Sequence, residues 1–188
     1  MKERKVEPIC TYTGVWMYPL APKKEDFNIA DIAHALSQMT RANGHFRSFY
    51  SVAQHCLACS FEAEARGYSS RLVLALLLHD APEAYLSDLT RPVKLGLPDY
   101  SEIEERLQEA LYAAFGITEL SPEEKRMIAA VDDDMLYYEF EQLHVSGGLN
   151  GTYQLIRKPS VALIPMEEAE QAYLRRFEEL IKKTGENI

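Results

Sequence analysis

The sequence has no surplus of basic residues, few cysteines, no long apolar stretch and no repeat. Each absence removes a class of function. Twenty Lys and Arg stand against 29 Asp and Glu, a formal charge of −9. A general DNA- or RNA-binding face needs a basic footprint, so a nucleic-acid polymer is not an expected partner. Cys10, Cys56 and Cys59 are too few for a disulfide framework. The opening Met1-Lys-Glu-Arg-Lys-Val-Glu7 mixes charges of both signs and holds no apolar signal core. No apolar run approaches the length of a membrane span. The expected setting is therefore reduced and cytoplasmic, with no membrane partner. No low-complexity tract or shift in composition divides residues 1–188, so a single domain with a real core is expected.

What is present centres on Leu72-Val-Leu-Ala-Leu-Leu-Leu78, which runs directly into His79-Asp80. Such an apolar run is buried on all sides. A carboxylate at its end requires a partner or a metal ion, because unpaired buried charge is costly. An acidic protein still binds phosphate where a metal ion and a few cations create a local positive site.

Around this run the periodicity predicts an all-α fold. Ile29, Ile32, Ala33, Leu36 and Met39 recur at helical spacing after a cap at Asp26 or Asn28, and this helix ends near Thr40. Asn43-Gly44 marks a turn. Ser51-Val-Ala-Gln54 is a capping box opening a helix that carries His55 to about Ala65. Ser69 or Ser70 caps the helix of the apolar run, which is expected to carry His79-Asp80 and to end or kink at Pro82. Glu83 to Lys94 reads as turn-rich. Further helices are expected over Tyr100–Phe115, from Ser121-Pro122-Glu123-Glu124 through Asp132-Asp133-Asp134, and over Met166 to about Lys183. Residues 1–27 read as irregular, with aromatics that pin them to the body or floor a pocket. Residues 149–164 read as a small hairpin or an ordered loop.

Three elements carry candidate ligands: His55, His79-Asp80, and one Asp of the 132–134 run. Two imidazoles with two carboxylates suit a borderline divalent ion such as Zn, Mn, Co, Fe or Ni. The plain alternatives differ by residue. A single His on a helix is more often structural than ligating, and an acidic run alone is a solvated face. Cys56-x-x-Cys59 reads as small buried side chains rather than a redox or zinc pair. His34 reads as structural and His144 as solvent-facing, while Tyr137, Tyr138 and Phe140 read as core. His45, beside Arg41, is open between a phosphate contact and an ordinary surface histidine.

In combination, His55, His79-Asp80 and a later helical Asp resemble the H…HD…D signature of the HD-domain metal-dependent phosphohydrolases. Ser51-Val-Ala-Gln-His55 and His79-Asp-Ala-Pro-Glu-Ala-Tyr-Leu-Ser-Asp-Leu-Thr-Arg-Pro-Val-Lys94 are similar to the compact branch that contains bacterial 5′-deoxynucleotidases. The likeness covers about residues 28–145. It implies an HD-type helical bundle with one divalent ion (Mn, Co, Zn, Fe, Ni or Mg) held by His55, His79, Asp80 and Asp132. Asp132 is preferred within its run because Ile128 and Met135 share its helix face. The resemblance further implies Glu83 and Asp88 as acids beside the attacking water, one serving the leaving oxygen. Arg41 matches the substrate-binding Arg, with Thr90 and Lys94 in the same motif and Arg47 a secondary cation. Two positions depart from the pattern. Ala42 stands where the branch has Trp, and Ser87 where it has Gly.

The implied activity is hydrolysis of a nucleotide phosphate ester, first a 5′-(deoxy)nucleoside monophosphate. A small dNTP triphosphohydrolase is the enzymatic alternative, and a regulatory nucleotide-binding HD module the non-enzymatic one. Guanosine tetraphosphate hydrolysis is disfavoured because Ala84 follows Glu83 where that branch has Asp. Cyclic dinucleotide cleavage is disfavoured by the lack of a Gly-Tyr-Pro element. A homodimer is expected by analogy alone.

Overall fold

The structure, a computed structural model, describes residues 7–117 and 119–185. The first six residues of the N-terminal segment read above lie outside that range. Eight α-helices are present among the described residues: α1 (Ile29–Gln38), α2 (Val52–Ala65), α3 (Ser70–Leu77), α4 (Glu83–Leu86), α5 (Arg91–Lys94), α6 (Pro98–Ala114), α7 (Pro122–Leu143) and α8 (Met166–Gly185). None of them is long and apolar enough to cross a membrane. The fold is mostly α, as the periodicity predicted.

The helix starts follow their caps. Asn28 accepts from the Ala30 N–H, Ser69 from Leu72, and both Ser51-Gln54 and Ser121-Glu124 close reciprocal boxes. Each cap satisfies N–H groups that the first helical turn leaves without partners. In α3, Leu72 through Leu77 are all buried, and Leu78 follows them into the core. Helix α8 lies across α1, α2 and α3, and α7 packs against α2 and α3.

The end of α3 departs from expectation. The helix stops at Leu77, so His79 and Asp80 sit in a turn beyond it rather than on it. The stop lies inside the protein, where the residues that carry the last carbonyls are fully buried. Side chains cap those carbonyls. The Tyr112 hydroxyl donates to the Ala75 carbonyl at 3.0 Å, Tyr173 to Leu77 at 2.7 Å, and the Gln108 amide to Leu78 at 3.2 Å. His79 Nδ1 takes the Leu76 carbonyl at 2.8 Å. Pro82 precedes α4 instead of kinking α3.

Two smaller corrections and one choice between stated alternatives concern loops. The only sheet among the described residues is at the N-terminal end, where β1 (Ile9–Cys10) runs antiparallel to β2 (Trp16–Met17) with Ile9 opposite Met17. Its turn is held by Asp31, which accepts from the Thr13 N–H at 2.6 Å and hydroxyl at 2.9 Å. Tyr12 stacks on His34 at 3.7 Å and Met17 is fully buried, whereas Trp16 is 65% exposed. Residues 149–164 form no strand. Their peptide groups pair with side chains instead: buried Glu62 accepts from the Ile156 and Arg157 N–H groups, and Gln54 donates to the Ala162 carbonyl. Glu83–Lys94, read as turns, contains α4 and α5.

Candidate metal centre

Four side chains from three separate segments converge. His55 enters from the first turn of α2, His79 and Asp80 from the turn after α3, and Asp132 from the middle of α7. His55 Nε2 lies 3.2 Å from His79 Nε2, 3.2 Å from Asp132 Oδ1 and 3.6 Å from Asp80 Oδ2. His79 Nε2 lies 3.4 Å from Asp80 Oδ1 and 3.7 Å from Asp132 Oδ1. Ligands about 2.1 Å from one ion stand roughly 3.0 Å apart when octahedral neighbours and about 3.4 Å apart when tetrahedral. Three of the five separations, at 3.2, 3.2 and 3.4 Å, fall in that range, and the other two, at 3.6 and 3.7 Å, lie just beyond it.

The imidazoles are oriented from behind. His55 Nδ1 meets Glu139 Oε1 at 2.8 Å, and His79 Nδ1 meets the Leu76 carbonyl. With Nδ1 donating outward, each Nε2 lone pair faces the shared centre. The chemistry of the donor set and its spacing both fit a divalent cation.

The electrostatics agree with that fit. Burial and the Arg41 charge oppose a proton on His55, yet Cys59, Glu139 and Asp132 together hold it well above the usual histidine range. Burial likewise opposes a charged His79, and Asp80, Asp132 and Cys56 outweigh it. Burial would raise the Asp132 carboxyl, but hydrogen bonds from His55 and His79 keep it well below the carboxylate range. The cluster favours positive charge at its middle, either protons or a cation that displaces them.

The acidic run of α7 divides its labour. Asp132 reaches the histidines. Asp133 pairs with Arg91 at 2.7 Å, and Asp134 pairs with Arg66 at 2.7 Å. Arg41 lies in a tight turn in which Ala42 and Asn43 both adopt left-handed backbone, at φ 53° and 50°. That conformation costs about 1–2 kcal/mol for an ordinary L-residue. It is held by the Arg41 N–H donating to the Tyr50 carbonyl at 2.8 Å. The guanidinium reaches Asp80 Oδ2 at 3.3 Å and Glu139 Oε2 at 3.7 Å, and its side chain is nearly buried.

A cavity of about 850 Å³ opens over the centre, lined among others by Arg41, His45, Asp88, Thr90, Tyr137 and Phe140. Asp80, Glu83, Lys94 and Asp132 also line it. A second cavity of about 820 Å³ shares Asp80, Lys94 and Asp132, and its far wall carries Glu104, Glu105, Glu109 and Glu119. Glu83 is buried, and its Oε2 has no hydrogen-bond partner. Burial, then the charges of Asp80 and Asp88, push the Glu83 carboxyl well up; burial also raises Asp88. Lys94 pairs with Glu104 at 2.7 Å.

One sequence candidate falls elsewhere. Arg47 donates to the Leu143 and Gln142 carbonyls, closing the C-terminal end of α7, and does not line the cavity. Tyr137 and Phe140, read as core, are half-buried cavity walls, whereas Tyr138 is core. His144 is half-buried against Phe140 rather than free in solvent. His34 is structural, held between Tyr12, Gln38 and Glu170. Two features escaped the sequence reading. Glu139 stands seven residues after Asp132, on the same helix face, and that spacing was the available signal. Cys56 and Cys59 are not distant core residues: His55, Cys59 and His79, and likewise Cys56, His79 and Asp80, form groups able to hold a metal ion.

No family model matches the chain. It is 34% identical to the uncharacterized protein RCAP_rcc00048 of Rhodobacter capsulatus over 178 residues, 87% of this chain and 90% of that protein. It is 38% identical over 109 residues to the uncharacterized protein YfdR of Escherichia coli, spanning 58% of the length of each.

Proposed function

The chain belongs to the family of the Rhodobacter capsulatus protein RCAP_rcc00048, and we propose that it is a metal-dependent phosphohydrolase of the HD-domain type. Its substrate in this reading is a nucleotide phosphate ester, first a 5′-(deoxy)nucleoside monophosphate. The observation that carries the reading is the convergence of His55, His79, Asp80 and Asp132, four residues spread over 78 positions, at ligand spacing. A divalent ion held by these four supplies Lewis acidity, lowering the pKa of water and offsetting charge on the phosphoryl group.

The chain's own residues supply the rest. The phosphate enters the cavity lined by Arg41 and His45, because the other cavity presents carboxylates that repel an anion. Tyr137 and Phe140 offer ring faces to the base. Thr90 and Lys94 lie on the same wall. Glu83 and Asp88 divide the proton work. One accepts the proton of the attacking water as its oxygen bonds to phosphorus. The other serves the ester oxygen as the P–O bond breaks, yielding orthophosphate and a nucleoside. A cytoplasmic setting belongs to the reading, supported by three free cysteines. A homodimer rests on the resemblance alone.

The test is metal analysis of the protein purified without added ions, followed by phosphate release from nucleoside 5′-mono- and triphosphates with Mn²⁺, Co²⁺, Mg²⁺ and Zn²⁺ in parallel. Orthophosphate from a monophosphate is the expected result. Release of tripolyphosphate would move the activity to the triphosphohydrolase. Nucleotide binding without turnover under every ion would make the protein a regulatory module.

A further inference from the structure

Residues 148–154 form a strap along one stripe of α7. At one end the Gln154 N–H donates to Asp134 Oδ1 at 3.1 Å, and Arg66, itself paired with Asp134, donates to the Gln154 carbonyl at 2.8 Å. At the other end a Cβ at Gly148 would stand 3.1 Å from the Glu141 Cα, so the two backbones touch. Asp134, Tyr137 and Glu141, three and four residues apart, share a helix face. Between the anchors Gly151 meets Tyr137. A Cβ at Gly151 would stand 2.2 Å from Cε1 of that ring, 2.5 Å from Cζ and 2.6 Å from Cδ1. Carbon atoms settle about 3.5–4.0 Å apart, so no side chain fits there. Gly151 is not among the residues with positive φ, and space alone demands the glycine.

The three distances are nearly equal, which places Gly151 over the face of the ring. An atom meeting Cε1 in the ring plane would stand clearly farther from Cζ and Cδ1. Tyr137 lines the cavity over the centre, and Gly151 does not. The ring therefore stands between the glycine and the cavity, with its other face toward the open space. Among the described residues no other ring packs on Tyr137, whereas Phe140 already has Phe46 at 5.0 Å and His144 at 5.8 Å. Asp132 precedes Tyr137 by five residues on α7, about 7.5 Å along the axis. That offset leaves room for a sugar between a phosphate at the centre and a planar base on the ring.

We propose that Tyr137, backed by Gly151, is a stacking platform that selects phosphate esters whose sugar carries a planar aromatic base over sugar phosphates that carry none. Gly151 is its specificity-determining residue. The strap is pinned on both sides of the glycine, so a side chain there drives the ring into the cavity and does not lift the strap from α7. The proposal rests on the nucleotide reading, and its test separates the two.

The probes are the phosphonate analogues of adenosine 5′-monophosphate and of ribose 5-phosphate, in which CH₂ replaces the ester oxygen and nothing is hydrolysed. Calorimetry reads their binding to the full-length, Mn²⁺-loaded protein. Stacking of a base on an aromatic side chain contributes about 5- to 150-fold in affinity. Tyr137→Ala should weaken the adenosine probe by that factor and leave the ribose probe unchanged, while Tyr137→Phe, which keeps the ring, should bind both as wild type does. Gly151→Ala should also weaken the adenosine probe alone. Added to Tyr137→Ala it should cost nothing more, because no ring is left to displace. The unchanged ribose probe, with helical circular dichroism, guards against a folding defect. Equal affinity for the two probes in the wild type, or an adenosine affinity indifferent to Tyr137→Ala, overturns the platform. An adenosine affinity indifferent to Gly151→Ala overturns the part given to the glycine. Phosphate release from the parent esters is measured beside it. Selective adenosine binding with no release would sink the hydrolase reading and leave the platform standing, and release from both esters with equal KM would do the reverse.

Discussion

His55 Nδ1 and Glu139 Oε1 lie 2.8 Å apart with both side chains fully buried. This contact fixes which imidazole nitrogen faces the centre. Outer carboxylates of this kind typically contribute 10- to 100-fold to metal affinity. Glu139→Gln keeps the shape and an acceptor but removes the charge. It should therefore weaken Mn²⁺ binding by about that factor in a calorimetric titration. An unchanged affinity would make Glu139 a structural anchor only.

The ligands themselves should follow a strict order. His79→Ala and Asp132→Asn should abolish Mn²⁺ binding in calorimetry, and Asp133→Ala should leave it nearly intact, because Asp133 faces Arg91. If Asp133→Ala were the damaging change and Asp132→Asn the mild one, the assignment on α7 would be wrong by one residue.

Why these positions were legible while others were not has a physical basis. Side-chain caps leave local marks, so Ser51, Ser121 and Asn28 announced their helices. The end of α3 left none, because the apolar run continues to Leu78 and its carbonyls are closed by residues far along the chain. Periodicity cannot see a helix that ends by tertiary contact. Glu139 was hidden in the same way: its role comes from His55, 84 residues away, and α7 holds many acids. The two cysteines read correctly as buried, yet burial says nothing of what lies beside a thiol. Arg47 was misplaced since a cation near Arg41 in sequence need not share its face.

Ser87 carries φ 83° and ψ 151°, a conformation that glycine adopts freely and other residues do not. Such strain costs about 1–3 kcal/mol, and glycine gives back roughly 0.5–1 kcal/mol through the unfolded chain. Ser87→Gly should therefore raise the denaturation midpoint. A lower midpoint would show that the Ser87 side chain contributes more than its backbone costs.

Glu83 and Asp88 are expected to act on protons and not on the metal. Glu83→Gln and Asp88→Asn should each lower turnover by about 10²- to 10⁴-fold. Metal content should stay at the wild-type level, since neither stands among the converging ligands. Unaltered turnover in both variants would remove them from the mechanism.

Arg41 joins the two halves of the site, and its variants separate two roles. Its guanidinium reaches Asp80, a proposed ligand, at 3.3 Å and Glu139, the proposed orienting group, at 3.7 Å while lining the cavity. A phosphate clamp acts on KM, whereas a brace for Asp80 acts on metal affinity. Arginine grips phosphate through a planar fork that lysine lacks, but lysine still carries the charge that braces a carboxylate. Arg41→Lys should accordingly raise KM for a nucleotide while metal content stays near the wild-type level. Arg41→Ala should raise KM further and also weaken Mn²⁺ binding, because it leaves Asp80 and the buried Glu139 without their cation. Saturation kinetics with Mn²⁺ in excess, beside a calorimetric titration of each variant, read the two effects apart. A KM indifferent to both changes, with metal affinity lowered by Arg41→Ala, would leave Arg41 as a brace alone and move phosphate recognition to Lys94 and Arg91.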